Sequence, residues 1–297
     1  MSAPPETRAR EAQPVAAPEP AVDVSRRVTV IRPSPRWPHL DVREFWHFRE
    51  LFGMLVWRDV KVRYKQTFIG IAWAIVQPLM LMVVFSLVFG KFAQFSSEGL
   101  PYQVFTYSGL LPWTYFASAL ALSSVSVVSN TNLVTKVYFP RVFLPFAASA
   151  VPAIDFALAF VVLIGLMQWF HVPVHATVVF MPAFLLLAFV TALGVGLFFS
   201  AMNVRYRDVP YALPFVVQLW MWLSPVAYAI TELPDRYEWI FALNPMTGVI
   251  NGFRWSLLGT PAPPPGQLAV SVAAAIVFFL GGLAFFRRSE PRFADTI

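Results

Sequence analysis

No cysteine occurs anywhere in the 297 residues, so neither a disulfide framework nor a thiolate metal site can be part of this chain. Charge is scarce as well: Asp, Glu, Lys and Arg together make up 13% of the residues. A water-soluble domain carries about twice that share, so an ordinary soluble enzyme is excluded. Phosphate-cradling glycine loops are also missing. The one Gly-Lys pair, Gly90 and Lys91, is followed by Phe92 and lacks the upstream glycine, so no P-loop is available to hold a nucleotide. Histidine is confined to His39, His47, His171 and His175. The last two stand in HVPVH, where Pro173 keeps a helix from setting both on one face and no carboxylate accompanies them. Catalytic, cofactor and metal residues are therefore not expected in this chain.

What the chain has in abundance is apolar length. Hydrophobic residues make up 58% of it and the mean hydropathy is +0.62, which places it in a membrane. A bilayer core of about 30 Å needs about 20 apolar residues in helical form. Six stretches satisfy that length: 67–91, 103–129, 144–170, 175–202, 209–231 and 266–286. An all-α integral membrane protein with six transmembrane helices is the expectation. Between the last two stretches, Trp239 to Leu258 is apolar but broken by Asn244, Pro245, Gly248, Asn251, Gly252 and Arg254. So many polar groups and a helix breaker predict a re-entrant outer hairpin rather than a crossing.

Residues 1–40 are rich in Pro, Ala and charge, with no apolar run for a signal peptide, and read as a disordered cytoplasmic tail. The transmembrane domain is then 41–297, and VTVI at 28–31 is a short extended piece of the linker. Over 44–66, Phe45, Phe48, Phe52, Leu55 and Val56 recur at helical spacing while Arg58, Lys61 and Lys65 fall on another face. With Trp46, Trp57 and Tyr64 flanking the stripe, this predicts an amphipathic interfacial helix, a basic collar fused to the first span.

With the N-terminus in the cytoplasm, all Lys and Arg except Lys91, Arg236 and Arg254 fall inside. Both termini are then cytoplasmic. A seventh span at Trp239 would carry the RRSEPR tail outside, against this rule. The inner loop at 129–145 contains Leu133 and Val137 one turn apart, with Pro140 ending any helix, and reads as a docking element. NVRYRDVPY at 203–211 suits an acidic partner, although topology alone accounts for its arginines. Asp155 is the one carboxyl group deep in a span, so it needs a partner, a wet cavity or a proton. Aromatic residues crowd the outer half of the second and fifth stretches: Tyr102, Phe105, Tyr107, Trp113, Tyr115 and Phe116, then Trp220, Trp222 and Tyr228. They suit either an interfacial belt or a sliding surface for sugars.

RDVKVRYKQTFIGIAWAIVQPL, TNLVTKVYFPRVFLP with Asp155 beyond it, NVRYRDV, LSPVAY and LNPM with Arg254 downstream occur here in that order. Together they resemble the membrane subunit of type-2 ABC exporters, the ABC-2 (type V exporter) permease fold, in the branch that exports O-antigen, capsule and related lipid-linked polysaccharides. The resemblance covers about residues 40–290. It implies a homodimer working with two copies of an ABC ATPase, with ATP and Mg held on that partner, and an undecaprenyl-linked glycan moved across a bacterial inner membrane. It implies ATPase contacts at Leu133, Val134, Lys136, Val137, Tyr138, Phe139 and Arg141, and at Arg58 and Lys61. Arg58, Lys61, Arg63 and Lys65 would attract the carrier's pyrophosphate, the nine aromatics would line the sugar path, and Asn244, Pro245 and Arg254 would belong to the outer gate. Teichoic-acid-type polymers, drugs or lipids are alternative cargoes. A secondary transporter or a membrane-embedded transferase using Glu232, Asp235 and Glu238 is a more distant alternative. No nucleic-acid partner is expected.

Overall fold

In the computed structural model, residue 46 and residues 48–65, 68–137, 139–232 and 234–296 are described. The tail at 1–40, VTVI, Phe45 and Tyr138 lie outside them. The described residues form helices and connections, with no strand among them. Helix α1 is Arg49–Tyr64, the collar, and α2 is Phe68–Phe85, continued by a π-helical segment over Ser86–Phe92. Helix α3 is Tyr102–Ser129, and a six-residue turn of helix, α4, Thr131–Lys136, follows it. Helices α5, Phe143–Ala150, and α6, Pro152–Trp169, make one apolar length divided at Pro152. After a 3-10 turn come α7, Met181–Arg205, and α8, Val209–Trp222. The hairpin is α9, Asp235–Ala242, and α10, Pro245–Leu258; α11, Pro265–Ser289, and α12, Phe293–Thr296, end the chain.

Proline punctuates these boundaries. Pro152, Pro182, Pro210, Pro245 and Pro265 open α6, α7, α8, α10 and α11 at the first or second position, where the missing N–H costs nothing and the fixed φ already suits a helix. Five lengths among the described residues are long and apolar enough to cross a membrane: Ala72–Phe92, Tyr102–Ser129, Phe143–Trp169, Ala176–Arg205 and Pro265–Arg292. The stretch expected as one span at 209–231 is different. Its helix stops at Trp222, after 14 residues, or about 21 Å of rise. Pro225 is the reason: it has no N–H to continue the ladder and biases Ser224 away from helical geometry.

Helix α3 is the axis of the bundle. Helices α2, α5, α6, α7, α8 and α10 all pack on it, and Phe105, Tyr107, Leu110, Phe116, Ala119, Leu120 and Val127 are fully enclosed. Small residues let the backbones close up, as expected where lipid removes any hydrophobic drive between helices. A Cβ added at Gly194 of α7 would lie 2.5 Å from the Phe279 backbone of α11, and one at Gly282 would collide with the Gly194 carbonyl. A second apolar core lies at the collar end, where Leu55, Val134, Phe139, Phe143, Phe286 and Phe293 come together. By contrast α2 and α8 leave broad apolar faces uncovered, including Trp73, Met80, Phe215, Leu219 and Trp222.

Candidate functional site

Polar side chains gather at two places, the collar end and the hairpin end. At the collar end, α1 is held to the bundle by Phe48 and Phe52, whose rings lie 6.2 and 6.3 Å from that of Phe143, and by buried Leu55. Its last turn reaches across to α6. The Arg63 guanidinium pairs with Asp155 Oδ2 at 2.5 Å, and the Tyr64 hydroxyl donates to Asp155 Oδ1. This supplies the partner that Asp155 needs. The carboxylate also sits in the first turn of α6, where the helix dipole favours negative charge. Burial, then the neighbouring carboxylate, raises the Tyr64 phenol above its ordinary range, so it stays a protonated donor.

The basic residues of the collar divide. Arg58 pairs with Asp59 at 2.7 Å, Lys61 lies over the Trp57 ring at 5.3 Å, and Lys65 is exposed. Arg58, Asp59 and Arg63 line an open cavity of about 400 Å³ with Ser126, Ser129 and Asn130 of the facing α3 segment. Lys61 and Lys65 stand outside that lining. In the docking loop, Val134 and Phe139 are buried while Lys136 and Val137 are exposed, Val137 in extended backbone as the helix ends. Val134 holds the turn to the bundle, with Leu133 partly buried against the same core and Val137 left exposed. Arg141 is half-buried against the C-terminal segment.

At the hairpin end, Arg254 is 2% exposed and faces no carboxylate within ion-pair distance among the described residues. Its Nε donates to the Phe105 carbonyl at 3.2 Å, Nη1 to Pro225 at 2.7 Å and Nη2 to Val226 at 2.6 Å, while Cζ rests 3.6 Å above the Phe105 ring. Backbone carbonyls plus a ring face satisfy the fork of a guanidinium. Gly109 makes the room: a Cβ there would stand 2.5 Å from Arg254 Nη2 and 2.9 Å from the Val226 carbonyl. The 223–229 turn is thereby wrapped around one side chain, and Tyr102 donates its hydroxyl to Ala227 in the same turn.

Asn244 ties the neighbouring corner. Its Oδ1 caps α10 at the Met246 N–H, 3.0 Å, and accepts from Trp220 Nε1 at 2.8 Å, while its amide donates to the Leu223 carbonyl and Ser224 Oγ at 3.0 and 2.9 Å. Pro245 is enclosed as the first residue of α10. The aromatics expected along a sugar path separate by helix. Phe105, Tyr107, Trp113, Tyr115 and Phe116 of α3 are buried inside the chain, and Tyr102 is half-buried. Tyr107 and Tyr115 donate to the carbonyls of Ala159 and Ser149, both at 3.3 Å. Within the single chain these side chains are enclosed, and the open stripe of α3 runs instead through Ala121, Val125 and Ser129. Trp222 is 47% exposed, and Trp220 and Tyr228 are half-buried around the same corner. Of the outer acids, Glu232 accepts the Ser96 N–H at 3.1 Å and Glu238 accepts from Gln267 at 2.7 Å. The carbonyl cage of Arg254 was beyond sequence reasoning; an uncompensated arginine inside an apolar run beside LSPVAY was its signal.

The family model for ABC-2 type transporters matches residues 50–258. An O-antigen export system permease protein, RfbA, of Myxococcus xanthus is 27% identical over 259 residues, covering 86% of this chain and 98% of its own length. An RfbA of Klebsiella pneumoniae is 25% identical over 87% of this chain and 100% of its own. The capsule polysaccharide export inner-membrane protein CtrC of Neisseria meningitidis serogroup A is 25% identical over 81% and 91%. The matched span runs from the collar through the Arg254 helix, and this chain belongs to the ABC-2 type transporter family.

Proposed function

We propose that the chain is the permease subunit of an ATP-driven exporter that carries a lipid-linked polysaccharide, of the O-antigen or capsule kind, across the bacterial inner membrane. Two copies pair with two copies of a separate ABC ATPase that holds ATP and Mg. Six spans cross the membrane, the shortened α8 together with its 223–229 turn making the fifth; both termini are cytoplasmic, α1 lies at the inner surface and α9–α10 form the outer hairpin. The observation that carries this reading is the collar end: a basic helix locked through Arg63 and Tyr64 to Asp155 of α6, beside an exposed docking turn, on a chain of the ABC-2 family whose relatives are named for O-antigen and capsule export.

Mechanism follows from these attachments. The ATPase engages the 131–141 loop and the collar around Arg58 and Lys61. Displacement of α1 is delivered to α6 through the Asp155 pair, since a carboxylate held by two donors from one helix turn transmits both push and pull. Arg58 and Arg63 stand together in the inner cavity, where guanidinium groups suit the oxygens of a pyrophosphate carrier. The uncovered faces of α2 and α8 meet the second copy, and Trp222 and Tyr228 offer ring surface to passing sugar. The carbonyl cage of Arg254 holds the outer hairpin on α3 throughout. The test is affinity purification of the chain in mild detergent with identification of its partner. A stoichiometric ABC ATPase that is lost on deletion of 131–141, together with loss of surface polysaccharide, supports the proposal; absence of any ATPase across several extraction conditions refutes it.

A further inference from the structure

A second fastening at the collar end lies behind the docking loop. Past α11 the chain makes a 3-10 turn, Glu290–Arg292, and enters α12. Glu290 Oε1 accepts the Arg141 backbone N–H at 3.2 Å, and Oε2 pairs with Arg287 at 3.1 Å. The Arg141 guanidinium closes the ring by donating to the Glu290 carbonyl at 2.5 Å. Arg141 follows Pro140, which has no N–H, so its own N–H is the first donor beyond the break and needs an acceptor from elsewhere. Arg287 Nε is buried without a hydrogen-bond partner, so the Glu290 carboxylate is what compensates that cation. Three residues on, Phe293 is buried edge-on to Phe286 at 5.2 Å, in the same apolar core as Val134 and Phe139 of the loop.

We propose that Glu290 is a positioning residue that ties the 131–141 loop to the inner end of the last span. Movement of the loop is then delivered to α11 and, through the backbone contact at Gly194 and Gly282, to α7. This rests on the exporter reading above and adds a second route to it, separate from the collar and Asp155. A residue whose carboxylate joins a loop N–H to a half-buried arginine fixes both distance and direction, which apolar packing of Phe293 alone does not.

The natural absence of cysteine permits a direct test in the complete complex with its ATPase, reconstituted in lipid. Spin labels on Thr135→Cys and Arg292→Cys, both exposed, report the separation of loop and C-terminal segment. In Glu290→Ala the distance distribution is expected to broaden and polysaccharide exported per ATP hydrolysed to fall about tenfold, within the range of coupling mutations, while the ATPase still co-purifies. Glu290→Gln keeps an acceptor for the Arg141 N–H and is expected to recover most of the export per ATP. Where the alanine variant does not accumulate, Glu290→Asp carries the test, since it keeps the charge near Arg287 but withdraws the carboxylate from the loop; the same fall is expected. Unchanged label distances, or wild-type export per ATP in both variants, overturn the proposal while leaving the exporter reading intact. If the unmutated chain recruits no ATPase, the exporter reading falls and the coupling role with it.

Discussion

Arg254 at the hairpin end and Arg63 at the collar end are both arginines held against the apolar bundle, and they are neutralised in opposite ways. Arg254 is enclosed and gives its protons to carbonyls from α3 and the 223–229 turn. Arg63 is 37% exposed and pairs with a carboxylate that is itself only 16% exposed. Carbonyl oxygens of folded backbone cannot leave singly, so opening the first site exposes a buried cation and orphans several acceptors together. An ion pair at the edge of water is worth little and exchanges readily for solvent. Removing a partner at the hairpin end therefore costs far more stability than removing one at the collar end.

The contrast can be broken hardest at Arg254. Arg254→Ala is expected to cost about 3–5 kcal/mol by leaving the cage without its cation, read as loss of monodisperse protein on heating in detergent. Arg254→Lys recovers only part, since one ammonium cannot replicate the fork. Next comes Gly109→Ala, whose methyl would enter the guanidinium; about 1–3 kcal/mol of destabilisation is expected in the same assay, and Arg254→Met should relieve only the side-chain part of the clash in the double variant, the Val226 carbonyl remaining 2.9 Å away. Asn244→Ala removes the cap of α10 and the tie to Trp220, for about 1–2 kcal/mol.

Asp155→Asn inverts the pattern. Thermal stability should fall by about 1 kcal/mol or less while export falls several-fold, and failure of Arg63→Gln to restore export in the double variant would show that the charge pair, not a neutral hydrogen bond, carries the coupling. The smallest effect belongs to Glu98, in the loop between α2 and α3. Burial raises its carboxyl above the ordinary value, with the nearby Arg254 charge opposing. A raised carboxyl binds its proton more tightly when folded, so it favours folding at low pH and that contribution disappears as pH rises through the folded value. Glu98→Gln should flatten the stability profile across that window, in a pH series of melting curves.

Sequence reasoning reached the periodic features and stopped at the connections. Runs such as 103–129 and 266–286 announce helices because length and apolarity are local properties, and the observed helices begin at Tyr102 and Pro265. The break in the apolar run at Asn244 and Pro245 was legible, and a helix starts there with Asn244 as its cap. The partners of Asp155 lie in a different helix, Tyr64 being 91 residues upstream, and nothing local distinguishes Arg63 from the other collar cations. The acceptors around Arg254 are main-chain oxygens, which every residue possesses, so composition is silent about them. Likewise an aromatic enclosed by its own chain and one left uncovered share the same letters; only the enclosure of Phe105 and Phe116 separates them from Trp222.

The contact between Gly194 and Gly282 bears on how many parts this molecule has. Where two helices touch backbone to backbone, no side chain lies between them to act as a bearing, and any axial slip would drive a Cβ ridge into a peptide plane. Helices α7 and α11 are consequently a single plank. The twelve α-helices among the described residues thus reduce mechanically to a few stiff members, and the stroke of a nucleotide-driven engine would be taken up at the proline-broken joints, Pro152 between α5 and α6 and Pro225 after α8, rather than dissipated along the rods.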